Sequence, residues 1–207
     1  MQQTGSTSFS MRTLAEKAGV SIATPYNLFG SKQAIMYAVL DDDLEVYQKR
    51  LANQRVDAIE IFFKAVALAT ALYATEPAFY RAVLSAVYND GGSEYRSMFG
   101  GPRHAMWRGL VQAAVDADLL DAAVDVDALA ITLAHIFFSC ILEWAVGELS
   151  LDELEVRTQY GFALTLLAMA TPASAARLRG RALQVQKRLR RLWKRPRKRT
   201  NAPQASA

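Results

Sequence analysis

Between Ser21 and Lys32 the chain gathers side chains that can grip a nucleic-acid duplex. The Asn27 amide can pair with adenine, and the Thr24 hydroxyl can bond to a phosphate or a base edge. Ala23 and Pro25 offer only apolar contact, for instance to thymine methyls, and Ile22 completes the set expected to face base edges. Lys32 falls at a predicted helix N-terminus, where free amides and the helix dipole add to its charge in holding a phosphate. Ser10 and Arg12 can touch phosphates from the preceding helix.

These groups read a sequence only if rigid elements deliver them together. A first helix is predicted over residues 11–18, where Met11, Leu14, Ala15 and Ala18 recur at the helical period. Gly19 sits just past its end, where a left-handed backbone is needed. Ser21 is a preferred N-cap for a second, uncharged helix over 22–29. Gly30 ends that helix and Ser31 caps a third. Two short helices joined by a glycine turn make a helix-turn-helix, whose second helix enters the major groove N-terminus first.

Leu14, Ala15, Ala18, Gly19, Val20, Ser21, Thr24, Tyr26, Phe29, Ser31 and Lys32 stand at spacings that resemble the signature of the TetR family of one-component transcriptional regulators. The added Tyr, Phe and Ser-Lys make this more specific than a bare helix-turn-helix. The resemblance is confined to residues 10–36; beyond about residue 50 the chain is only compatible with the family. It implies that Tyr26 and Lys32 contact phosphates and that a helical body carries a ligand site and a dimer interface. One departure stands out. The family's motif is preceded by a helix of about four turns, and Gly5 aligns with the glycine that ends it. The expected head therefore lacks its first helix. Leu14, Ala18, Val20 and Phe29 would lose apolar cover at about 25 cal/mol per Å².

At 207 residues, 52% of them hydrophobic, the chain can bury a sizeable core. Cys140 is the single cysteine, which excludes an internal disulfide and fits a reducing cytoplasm. No apolar run near the N-terminus has the length of a signal peptide. The stretch 128–142 is too short to cross a bilayer and His135 interrupts it, so no stable membrane span is expected. The net charge of +4 hides an asymmetry: residues 177–199 hold 12 Lys/Arg and no acid. The other 12 basic residues face all 20 acidic ones, a balance of 12 − 20 = −8. A basic balance set by one segment is no evidence that the body binds nucleic acid.

The rest reads as all-α. Helices are expected over 32–53, 57–74, 78–87, 103–117, from 121–127 to about 148 with Asp125 as a cap, and 151–170 behind Ser150. Loops fall at 89–93 and at Gly100-Gly101-Pro102. No period-2 strand and no repeat is found. The predicted organisation is a helix-turn-helix DNA-binding domain with its connecting helix over 1–50, a helical ligand-binding and dimerisation domain over 51–173, and a basic tail over 174–207.

The body offers no catalytic constellation, metal spacing or cofactor fingerprint, so neither an enzyme nor a cofactor is implied. Asp41, Asp42 and Asp43 are consecutive, point to different faces, and read as a solvated run. Leu28 and Phe29 read as core. A small apolar or amphipathic ligand is expected in a pocket touched by Phe63, Tyr80, Tyr88, His104, Trp107, His135 and Phe138, each of which also reads as ordinary core. Cys140 reads as buried packing. Leu133, Phe137, Ile141 and Trp144 on one helix, with Phe162, Leu166 and Met169 on the next, are the expected homodimer interface, because a helix apolar nearly all round needs cover on several sides. Two heads on a twofold axis would read a palindromic operator with half-sites ~34 Å apart.

In the tail, Leu178, Ala182, Val185, Leu189 and Leu192 form a narrow seam on a basic helix that Pro196 stops. It reads either as a solvated extension or as a surface for DNA phosphates, a membrane or a partner helix. The expectation that joins these features is a cytoplasmic, dimeric, ligand-released repressor. The alternative is a helical dimer with a damaged head, acting as a protein- or membrane-surface interaction module through its body and tail.

Overall fold

Most helix starts in the computed structural model, which describes residues 19–21, 23–89 and 101–194, fall at or just after a Gly, Pro, Ser or Asp that suits the local chemistry. The described residues form eight helices and no strand. Gly19 (φ +66°) precedes α1 (Ala23–Phe29), and Gly30 (φ +76°) turns the chain into α2 (Lys32–Ala52). The Ser31 hydroxyl accepts from the Ala34 amide at 3.1 Å and caps α2. The others are α3 (Glu60–Thr75), α4 (Pro77–Asn89), α5 (Gly101–Asp116), α6 (Val126–Ala145), α7 (Leu151–Ala168) and α8 (Pro172–Trp193). Asp125 caps α6, and Ser150 with Glu153 forms a capping box on α7. The expected loop at Gly101-Pro102 is instead the first turn of α5. Proline has no amide to leave unbonded there and its φ already suits a helix.

The core lies between α3 and α7, with Trp144, Phe62, Phe162, Ile59 and Leu133 its largest fully buried side chains. Six of the seven residues expected at a dimer interface belong here. Leu133, Phe137, Ile141, Trp144, Phe162 and Leu166 are buried within one chain; only Met169 is exposed. Their apolar faces are covered by α3, α4, α5 and α8 of the same molecule, which the sequence pattern could not assign. α6 and α7 approach closely: a Cβ on Gly161 would stand 2.7 Å from Ile136 Cγ2. α6 has 20 residues, longer than the stretch 128–142, and is long and apolar enough to cross a membrane, but it is packed between α5 and α7 as a core helix.

α8 is part of the body. Its seam, Leu178, Ala182, Val185 and Leu189, is buried, and α7 is its main neighbour. The boundary expected at residue 173 therefore divides one packed unit. At the start of α8, Arg177 forms two hydrogen bonds to the Asp57 carboxylate (2.7 and 3.0 Å), Arg181 pairs with Glu60, and the Arg181 guanidinium lies 4.7 Å from the Phe63 ring centroid.

Burial pushes the Asp57 carboxyl up, but the amides of Ile59 and Glu60 and the Arg177 charge outweigh it and hold its pKa below the ordinary 3.8. A depressed carboxylate stabilises the fold above its unfolded pKa and loses that contribution as pH falls through its folded pKa. Asp57→Asn should therefore lower the unfolding midpoint slightly at neutral pH, by under ~1 kcal/mol because the pair is half exposed. The gap between variant and parent should close below pH ~4, read by thermal unfolding across an acid series.

Candidate functional site

Among the described residues α1 packs against α2. The Ser21 carbonyl accepts from the Thr24 amide at 3.0 Å, and the Ser21 and Thr24 hydroxyls lie 2.9 Å apart. Ser21 thus starts the helix as expected, but its hydroxyl meets a side chain rather than a free amide. Ala23 and Asn27 are exposed and Thr24 is half-buried. Ser10, Arg12 and Ile22, and the side chains of Pro25, Tyr26, Lys32 and Tyr88, lie outside the described residues. Leu28 and Phe29, expected in the core, are 72% and 45% exposed; among the described residues α2 is the main neighbour of α1. Val20 is exposed as well.

Behind the head, α2 to α6 line a half-open cavity of ≈ 110 Å³. Tyr80, Trp107 and Phe138, three of the residues expected to touch a ligand, line it. Phe137 and Ile141, expected at the dimer interface, line it too. Three other candidates do not. Phe63 is buried under Arg181, the His104 ring bonds to Asp127 at 3.1 Å beside Arg108, and His135 faces outward from α6. Each belongs to an amphipathic helix, and a one-residue change of angle, some 100°, moves a side chain off the cavity.

The cavity is apolar except at one end. There the Tyr80 hydroxyl donates to Asp43 Oδ2 at 2.9 Å, and Arg103 spans from α5 to α2. Its Nη2 donates to the Leu40 carbonyl (3.2 Å) and its Nη1 pairs with Asp41 (3.1 Å). Tyr73 stacks on Trp144 with ring centroids 5.4 Å apart. Burial pushes its phenol up to about 12, so it stays protonated and can donate. Burial, reinforced by the Asp43 hydrogen bond and charge, raises Tyr80 as well. The aspartate run is thus a tie between helices: Asp41 holds Arg103 and Asp43 holds Tyr80. Cys140 is buried and its thiol is pushed up by that burial, which leaves it packing rather than reactive. Among the described residues no group of three or more His, Cys, Asp or Glu could hold a metal ion.

Residues 1–39 match the family model of bacterial regulatory proteins, tetR family. The match covers the head and the first turns of α2 alone. Over most of its length the fold is similar to solved structures at low identity. A TetR-family transcriptional repressor, FadR of Thermus thermophilus, in complex with lauroyl-CoA, is 18% identical with a TM-score of 0.62, over 79% of this chain and 86% of that one. A γ-butyrolactone receptor (ArpA-like protein) is 18% identical with a TM-score of 0.56, over 90% of each chain. A structure titled for the control of antibiotic production by bacterial hormones is 20% identical with a TM-score of 0.58, over 81% of this chain and 90% of that one. No curated protein matches the sequence. In this fold the helix that leaves the head, α2, supplies Leu40, Asp43, Leu44 and Tyr47 to the cavity wall. Sequence reasoning missed these four because nothing in a helix's own pattern tells a cavity wall from a core.

Proposed function

We propose that the protein is a homodimeric transcriptional regulator that binds a palindromic operator through α1 and is released from it when a small apolar or amphipathic molecule enters the cavity. The observation that carries this reading is that one rigid helix, α2, both follows the DNA-reading helix and walls the cavity. A volume of ≈ 110 Å³ is close to that of the ~150 Å³ apolar cavities that hold benzene. A longer ligand that presses on the wall meets α2, the wall joined to the head. The ligand then prefers the displaced arrangement and DNA the undisplaced one, which is the differential affinity that release requires. The relatives' ligands, an acyl-CoA and a butyrolactone, support an acyl or lactone compound as first probe. The polar end, with Tyr73, Tyr80 and Arg103, suits a carbonyl or carboxylate.

Because most residues expected at the interface are internal, the dimer face is assigned to the outer edges of α6 and α7. There Ile131, Leu164 and Met169 are exposed. Packing the same edges about a twofold axis would place two heads on one side.

Selection of duplexes from a random pool tests the reading, with recovery of a palindrome as the expected result. Asn27→Ala should then weaken binding by ~1–3 kcal/mol and relax base preference at one position of each half-site. Recovery of no preferred sequence would overturn the reading and favour an interaction module.

A further inference from the structure

α8 carries more positive charge than its own packing uses. No acidic residue occurs between Arg177 and Arg199. Three arginines work inside the body: Arg177 on Asp57, Arg181 on Glu60, and Arg188 at 3.7 Å from Glu155. Lys187, Arg190, Arg191 and Lys194 are exposed, and none of the four is ion-paired among the described residues. Their i, i+3, i+4, i+7 spacing puts them on one face, away from the buried seam.

The course of the helices places this stripe. α2 runs away from the head. Its Tyr47 hydroxyl donates to the Ala65 carbonyl in the first half of α3, while Leu40 and Leu44 meet Leu72 and Tyr73 near the end of α3 across the cavity. α3 therefore runs back toward the head. α8 starts beside the beginning of α3, at Asp57 and Glu60, and by Arg188 has reached Glu155, which also accepts from the Thr70 hydroxyl. α8 thus runs parallel to α3 across α7, and most of its free charges lie toward the head end. The sequence adds Arg195, Arg197, Lys198 and Arg199.

We propose that the stripe Lys187, Arg190, Arg191 and Lys194 contacts phosphates of the duplex flanking the segment that α1 reads. This rests on the reading of the head as a DNA binder. Two other occupants fit less well. An amphipathic helix enters a lipid surface by its apolar face, and here Leu178, Ala182, Val185 and Leu189 are already buried in the body. A second copy would bring the same positive stripe against itself.

The test compares the full chain with a variant carrying Lys187→Gln, Arg190→Gln, Arg191→Gln and Lys194→Gln, checked for helix content and unfolding midpoint. Binding to a random-sequence duplex is measured across a salt series. The slope of log K against log salt should fall in magnitude by about 0.9 for each phosphate that the variant no longer neutralises. On the duplex recovered by selection, the variant should bind more weakly with long flanks, match the parent when the flanks are trimmed, and keep the same base preference. Equal slopes and affinities for parent and variant would overturn the proposal. So would charge-dependent retention on phosphatidylserine vesicles with an unchanged DNA slope, which would assign the stripe to lipid. If the parent selects no sequence, the reading of the head fails, while the slope on random duplex still decides the stripe. Should the fourfold variant unfold, Lys187→Gln with Lys194→Gln should give a smaller change of the same sign.

Discussion

Phe162→Ala should destabilise the protein by ~3–5 kcal/mol, and the unfolding midpoint should drop by the same amount at every protein concentration. Phe162 is fully buried on α7 and meets the edge of Trp107 with ring centroids 5.4 Å apart and planes at 90°. Trp107 in turn packs edge-on against Phe137 and lines the cavity. Truncation removes the ring's transfer energy and leaves a void that the close Ile136–Gly161 approach hinders α7 from filling. Concentration dependence separates this placement from the one expected from sequence. An interface residue removed from a dimer would weaken association, so the shortfall would vanish at low protein concentration and grow to a plateau as concentration rises. A core residue gives a constant shortfall. Leu164→Ala, on the exposed edge of α7, should do the reverse: little change in the stability of one chain and a weaker dimer.

That contrast marks how far the sequence can be read. Helix existence is legible wherever a cap or breaker fixes it. Ser31, Asp125 and Ser150 cap as their types require, and Pro77 and Pro172 open helices. The glycine turns at Gly19 and Gly30 adopt the positive φ that the head needs. What surrounds each helix is not legible. α6 and α7 are apolar on several sides, and the pattern shows that such helices need cover without naming what provides it. Neighbours from the same chain cover most of those sides. The seam of α8 is visible as a narrow apolar stripe, yet its partner, α7, cannot be inferred from a tail that looks solvated by composition.

The candidate site divides in the same way. Aromatic residues on the cavity wall, Tyr80, Trp107 and Phe138, stand out as large amphipathic side chains. Arg103 and Asp43 do not, because a charged residue on a polar-looking helix gives no local sign that it meets another helix. Only the pairing of Asp41 with Arg103, and of Asp43 with Tyr80, shows that a run of aspartates holds α2 in place. The two histidines are rare polar groups on apolar helices, which suggests a ligand contact, but His104 serves Asp127 instead of the cavity.

Arg103 is where that tie should matter most for regulation. Its guanidinium is the polar contact from α5 to both the Leu40 carbonyl and the Asp41 carboxylate of α2, and its side chain is mostly buried beside the cavity. A ligand that draws Arg103 toward its own carbonyl or carboxylate takes those bonds from α2. Arg103→Ala removes the contact in the free and the bound protein alike, so the ligand loses its differential hold on α2. Coupling of this kind spans ~1–3 kcal/mol, and a charge-assisted hydrogen bond is worth ~1.5–3 kcal/mol. The ratio of operator affinities without and with ligand should therefore fall about tenfold or more toward unity, with dodecanoate or a butyrolactone as the probe. Gln48→Ala is the control. Its side chain also reaches α5, at the Pro102 carbonyl, but lies outside the cavity, so the ratio should hold. Tyr80→Phe, which cuts the second tie to α2, should lower the ratio in the same direction. If Arg103→Ala releases DNA as fully as the parent does when either probe is added, α2 is moved by pressure from the apolar wall alone, and the polar end of the cavity serves only to orient the ligand.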